Sequence, residues 1–168
     1  MTIPNTYTNI NETGCCAIPN IGDWDKKSIT FKDRHFIRMY TKSFLHIPLN
    51  MAKIMKLLNE SASSAKVNLP PEQAIILSRD LSAWKAEQLY GVSEPIKGMD
   101  NITINGKFLS MVFEGPYQNA KIWLDELLNY AKQQNYKTSD IYFFYTTCPK
   151  CAKHYGKNYI IGLAKVTS

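Results

Sequence analysis

The sequence contains no apolar run near the roughly 20 residues that a membrane-spanning helix requires, so no helical membrane anchor is expected. Its opening stretch, MTIPNTYTNINETG, has neither the basic leading segment nor the apolar centre of a secretory signal. A cytoplasmic location is therefore expected, with thiols kept reduced. The sequons Asn11-Glu12-Thr13 and Asn101-Ile102-Thr103 are then expected to carry no sugar. Arginine is scarce, at Arg34, Arg38 and Arg79 alone. The chain is nonetheless basic, with a net charge of +6 and a pI near 9.1. Its lysines are scattered, as at Lys26 and Lys27, Lys53 and Lys56, and Lys150, Lys153 and Lys157. Tracking a phosphate backbone needs clustered basic groups, so nucleic acid is not expected as a partner. Also missing are H-E-x-x-H, G-x-S-x-G and any glycine loop that cradles phosphate, which excludes the commonest metallopeptidase, serine-hydrolase and nucleotide-binding signatures.

What is present is an ordinary globular composition, 45% hydrophobic and 20% charged over 168 residues, enough for one domain or two small halves. A weak duplication organises it. PLNMAKIMKLLN (48–59) and PYQNAKIWLDELLN (116–129) both set a proline before an amphipathic stretch with Ala-Lys-Ile and a Leu-Leu-Asn ending. Met51, Ile54, Met55 and Leu58 recur at helical spacing, as do Ile122, Trp123, Leu127 and Tyr130. A proline at or near a first helical position suits both starts. Strand-like runs precede the helices at 36–47 and 106–115; others follow at 73–78 and 87–96, and at 140–147 and 158–166. The pattern predicts β-α-β-β twice, repeats at about 31–98 and 104–168, forming one domain. The expected fold class is α+β, one antiparallel sheet with two helices on one face and a cleft along the seam between the repeats. Residues 1–30 fit neither repeat and read as an N-terminal arm.

The four cysteines form two pairs, Cys15 with Cys16 and Cys148 with Cys151. Three readings stay open. A redox dithiol needs its C-x-x-C at the start of a helix, and AKHYGKN leaves room for one or two helical turns before the next strand. A structural zinc site would use the C-x-x-C as a two-sulfur knuckle, with Cys15 or Cys16 and with His154 or His35 completing it. Adjacent cysteines ligating one ion imply backbone strain, so a four-cysteine cage is not the expected form. The third reading is reduced cysteines packed as small hydrophobes beneath the arm. No cofactor is required by any motif. His46, two residues before Pro48, reads as a loop or capping residue.

Aromatic residues crowd the expected strands. In DIYFFYTT, alternation sends Ile141, Phe143 and Tyr145 to one face and Tyr142 and Phe144 to the other. One face should pack under the helices and the other could line a ligand cleft, to which Trp84, Tyr90 and Tyr117 are further candidates. Glu114, in MVFEGPY at a strand end beside rings, is the carboxylate expected to be desolvated. Its affinity for a proton would then rise, fitting it for general-base work or for binding a cation.

GKFLSMVFEGPYQNAKIWLDELLNYAK (106–132) resembles the Gly-Pro-Tyr helix entrance of the GyrI-like small-molecule-binding superfamily. NETGCC, FLHIPLNMAKIM, FEGPYQNAKIW and YFFYTTCPKCAKHYGKNYIIGLAKV extend the likeness to a bacterial branch labelled "hydrolase", whose block reads CPKCAK-x-YGKNY. The resemblance implies two β-α-β-β units and an aromatic, partly acidic cleft. Members bind drug-like cations, inhibit a topoisomerase or hydrolyse reactive cyclopropane-type toxins through a carboxylate and rings. Glu114 and Tyr145 are the positions the resemblance implies for catalysis; Trp84, Tyr90, Tyr117, Phe143 and Tyr145 are the ligand-binding residues expected from the aromatic pattern. The cysteine pairs are additions to the generic pattern. A small apolar or electrophilic molecule is the expected partner, hydrolysed in the cleft; the alternative is a module that only binds its ligand or inhibits a protein.

Overall fold

A computed structural model describes residues 2–168. The strands are β1 (Lys27–Phe44), β2 (Ile47–Pro48), β3 (Ile76–Ser82), β4 (Lys85–Val92), β5 (Asn101–Glu114), β6 (Lys137–Tyr145) and β7 (Tyr159–Thr167). The α-helices are α1 (Met51–Ser64), α2 (Ala120–Gln133) and α3 (Pro149–Tyr155). The strand–helix–strand–strand order occurs twice, as β1-α1-β3-β4 and β5-α2-β6-β7, and the class is α+β as expected. The prolines lie further upstream than expected. Pro48 ends β2, three residues before α1, and Pro116 is extended ahead of a single 3-10 turn at Tyr117–Asn119 that leads into α2. No helix among the described residues is long and apolar enough to cross a membrane.

The chain divides into two compact units. The central unit comprises Lys32–Pro70 and Ala74–Asn105; the terminal unit comprises the chain up to Phe31, Pro71–Gln73 and Gly106–Ser168. In the central unit β4 pairs antiparallel with β1, from His35↔Val92 to Lys42↔Lys85, and with β3, from Ile76↔Tyr90 onward. The period of two then sends Ile37, Met39, Tyr90 and Val92 to one face. That face meets the apolar stripe of α1, where Leu58 and Ala62 are fully buried and Ile54 and Met55 pack alongside.

In the terminal unit β7 is the middle strand, antiparallel to β5 (Phe113↔Ile160) and to β6 (Phe143↔Gly162). Leu109, Phe113, Ile160 and Ala164 meet Trp123, Leu127 and Ala131 of α2. Burial of each such large side chain contributes about 1.5–3 kcal/mol, which is why a 14-residue helix holds here. The opposite face carries Phe108, Tyr142 and Phe144. It is closed by the N-terminal segment: Tyr7 lies edge-on to Phe144 at 6.1 Å, Phe31 lies 4.7 Å from Phe108, and Trp24 is fully buried. Ser110 Oγ donates to the Trp24 carbonyl from the same face. The arm is thus part of this unit's core, and neither sheet face of the terminal unit is left bare.

Candidate functional site

The arm brings its cysteines to the knuckle. Thr13 Oγ1 accepts the amides of Cys15 (3.3 Å) and Cys16 (3.2 Å), while Gly14 takes a left-handed φ of +70° that a side chain would disfavour. This turn brings the two neighbouring sulfurs together. Cys148 caps α3, Pro149 opens it and Cys151 sits in its first turn, fully buried. All four cysteines are free, and their four sulfurs lie within 4.8 Å of one another, with Cys15 and Cys16 Sγ 3.7 Å apart. The four-cysteine grouping that adjacency argued against therefore forms, because Gly14 provides the turn. His154 and His35 are not in it. His154 Nε2 lies 3.0 Å from Glu12 Oε2, and His35 Nδ1 lies 3.2 Å from Thr103 Oγ1 in the central unit.

Hydrogen bonds tie the arm to α3 and to the strand before it. Tyr155 Oη donates to the Cys16 carbonyl at 2.8 Å and accepts the Glu12 amide at 3.1 Å; Tyr7 Oη donates to the Thr146 carbonyl at 2.6 Å. The sulfurs are differently solvated. Cys151 Sγ lies 3.3 Å from Thr13 Oγ1, and this hydroxyl, with the neighbouring thiols and the Cys16 amide, holds the Cys151 thiol down at about 6. Burial pushes the Cys16 thiol up, against the opposing pull of the Cys148 amide. Burial also raises the Tyr7 phenol, with a smaller contribution from Cys16. A reactive dithiol keeps its nucleophilic sulfur accessible. Here Cys151 is fully buried, an arrangement suited to ligation more than to attack.

Glu114 ends β5 on the wall of a shallow depression of about 460 Å³, shared with Pro116, Ala152, Lys153, Lys157 and Asn158. Its side chain is 47% exposed and Lys157 Nζ lies 3.1 Å away. The desolvation expected of this carboxylate is not what its surroundings provide. The hydrogen bond to Glu114 instead raises the Lys157 ammonium. Glu114 faces Tyr159 across β7 whereas Tyr145 faces Ile160, so period-two alternation directs them to opposite faces of the sheet. Tyr145 shares the α2 side with Phe143, which packs against Phe113 and Trp123 in the helix-facing core. Tyr117 is exposed on the turn before α2. In the central unit, Tyr90 leans on the α1 core, donates to Asn59 Oδ1 at 3.0 Å and has its phenol raised by burial. Trp84 is 57% exposed at the β3–β4 turn, edge-on to Phe44 at 5.5 Å.

One carboxylate escaped sequence reasoning. Glu87 on β4 has a side chain 3% exposed, with Arg79 Nε 2.7 Å from Oε1 and Arg38 Nη1 3.4 Å from Oε2. Arg38 also reaches Asp100 at 2.8 Å, and that hydrogen bond raises its guanidinium. The signal was present in faint form: the scarce arginines Arg38 and Arg79 flank Glu87 once β1, β4 and β3 are paired, on the face turned away from α1. Without the pairing, Glu87 reads as a surface residue.

Among solved structures, an uncharacterized conserved protein from Listeria innocua is similar at 11% identity (TM-score 0.62, 86% of this chain and 93% of that one). A hydrolase from Listeria innocua is similar at 10% (TM-score 0.60, 86% and 93%). SAV2435 bound to tetraphenylphosphonium is similar at 12% (TM-score 0.54, 86% and 94%). At these identities the likeness is one of fold. No curated protein matches the chain. The model of one family, described as Bacterial hydrolase, matches residues 6–166, which include most of the arm, nearly all of both repeats and all four cysteines. The chain therefore belongs to the Bacterial hydrolase family.

Proposed function

We propose that the protein binds a small, largely apolar molecule and that Glu114 is the residue that meets it. The carrying observation is an accessible carboxylate at a strand end, on the wall of a depression, held by a single solvent-facing lysine. An exposed ion pair is worth about 0–1 kcal/mol, so a ligand offering Glu114 a cation or a donor displaces Lys157 with small loss. Glu87, by contrast, has both oxygens committed to arginines. The family, and a fold neighbour bound to the lipophilic cation tetraphenylphosphonium, support this reading. Isothermal titration with tetraphenylphosphonium tests it. Saturable binding weakened at least roughly tenfold by Glu114→Gln is the expected result. Undiminished binding in the variant removes Glu114 from the site.

Hydrolysis is the second reading, favoured by the family's description. Glu114 would take a proton from water attacking an electrophilic substrate, and Tyr117 would donate to the oxygen on which charge develops. Tyr145 is the weaker choice for that donor, since it shares no sheet face with Glu114. Turnover of an activated ester or an epoxide, abolished in Glu114→Gln, is what this reading requires. Ligand stabilisation with no product formed leaves the non-enzymatic binder.

A further inference from the structure

We infer that Cys15, Cys16, Cys148 and Cys151 hold a structural zinc ion that clamps the N-terminal arm onto the terminal unit. The inference stands apart from the small-molecule reading and uses none of its residues. It rests on shape first. Four sulfurs at the corners of a tetrahedron about zinc, with Zn–S near 2.3 Å, are about 3.8 Å apart along each edge. Cys15 and Cys16 Sγ are 3.7 Å apart and the whole set lies within 4.8 Å, so small side-chain movements close the tetrahedron. Two separately built turns converge on that point from opposite ends of the chain: Thr13–Cys16, shaped by Gly14, and Cys148–Cys151, shaped by the start of α3.

The surroundings fit a bound cation and its thiolates. Thr13 Oγ1 lies 3.3 Å from Cys151 Sγ, an outer contact of the kind that orients ligating sulfur. Four thiolates around a divalent ion leave a charge of about −2, and α3 carries Lys150 and Lys153 beside them. The set is closed. With four protein sulfurs there is no open position for water or substrate, so the ion serves architecture. All-sulfur tetrahedral donors suit zinc or iron and disfavour magnesium and calcium. The consequence is mechanical: zinc joins the arm to the loop after β6, on the same unit where Tyr7 and Trp24 close the sheet face over Phe144 and Phe108.

The full chain, expressed with supplemental zinc and purified under reducing conditions, decides the matter by elemental analysis. About one zinc per chain is expected, released when a mercurial titrates the thiols. Replacement by cobalt(II) should yield thiolate-to-metal charge-transfer bands and the visible bands of a tetrahedral ion. Stripping the metal with a chelator should lower the melting temperature by roughly 10 °C or more. Cys16→Ser should lose the metal; if that variant does not fold, the cobalt spectrum of the wild-type chain carries the test. A folded, reduced protein with less than roughly a fifth of an equivalent of zinc and four freely titrating thiols overturns the inference. A disulfide between any two of the four, or iron in place of zinc, overturns it equally.

Discussion

Glu87 and Thr13 show how much one residue can hold together. Glu87 is enclosed by two guanidinium groups, and removing a partner from such a buried group leaves charge without compensation. Glu87→Gln, which removes the buried charge and leaves two part-exposed guanidiniums, is expected to destabilise the chain by about 1–3 kcal/mol in urea denaturation. Asp100→Asn, which breaks an exposed pair with the same Arg38, should cost less than about 1 kcal/mol. A smaller effect at Glu87 would mean that water reaches the pair. Thr13 accepts two amides and touches the buried sulfur of Cys151 through one hydroxyl. Thr13→Val keeps the volume and removes the hydroxyl. Chelator competition should then register a metal affinity about 10- to 100-fold weaker.

At the scale of elements, a tight tolerance lies between β7 and α2. A Cβ placed on Gly162 would meet Phe113 Cε2 at 2.9 Å and Leu127 Cδ2 at 3.0 Å, both in a packed core. Gly162→Ala is therefore expected to destabilise by about 1–3 kcal/mol, read from the shift in denaturation midpoint. Equal stability would show that α2 can ride outward. The same closeness explains why Phe143, opposite Gly162, packs against Trp123. With no side chain at 162, the rings fill the space beneath the helix.

For the whole molecule, the notable fact is that one compact unit is assembled from three separate stretches of chain. The arm crosses to Glu72, whose carbonyl accepts the amides of Thr6 (2.7 Å) and Tyr7 (3.2 Å). It then turns back along the sheet through Trp24, whose indole donates to the Asn5 carbonyl at 3.1 Å. Deleting residues 2–26 removes Tyr7 and Trp24 and uncovers Phe144 and the face beside it. The truncated chain should bind a hydrophobic dye strongly and lose its sharp calorimetric transition. A cooperative transition retained at unchanged temperature would mean that the arm only decorates the fold.

Period and punctuation were enough to read the two strand–helix–strand–strand repeats, though not β2 or α3, because each repeat writes its own amphipathic pattern locally: Met51 to Leu58 on α1, Ile122 to Tyr130 on α2, the alternating rings of β6. The α+β class followed from that order. What pairing alone decided is who stands beside whom. Arg38, Arg79 and Glu87 are 8 to 49 residues apart in the chain and meet only across three strands. Glu114 and Tyr145 look like partners in sequence, yet a one-residue difference in register at β7 turns them to opposite faces. Cys16 and Cys148 are remote until Gly14 bends the arm and Tyr155 fastens it. Local sequence sets which backbone shapes are cheap; long-range contacts, which depend on register and on chain closure, decide which side chains share a site.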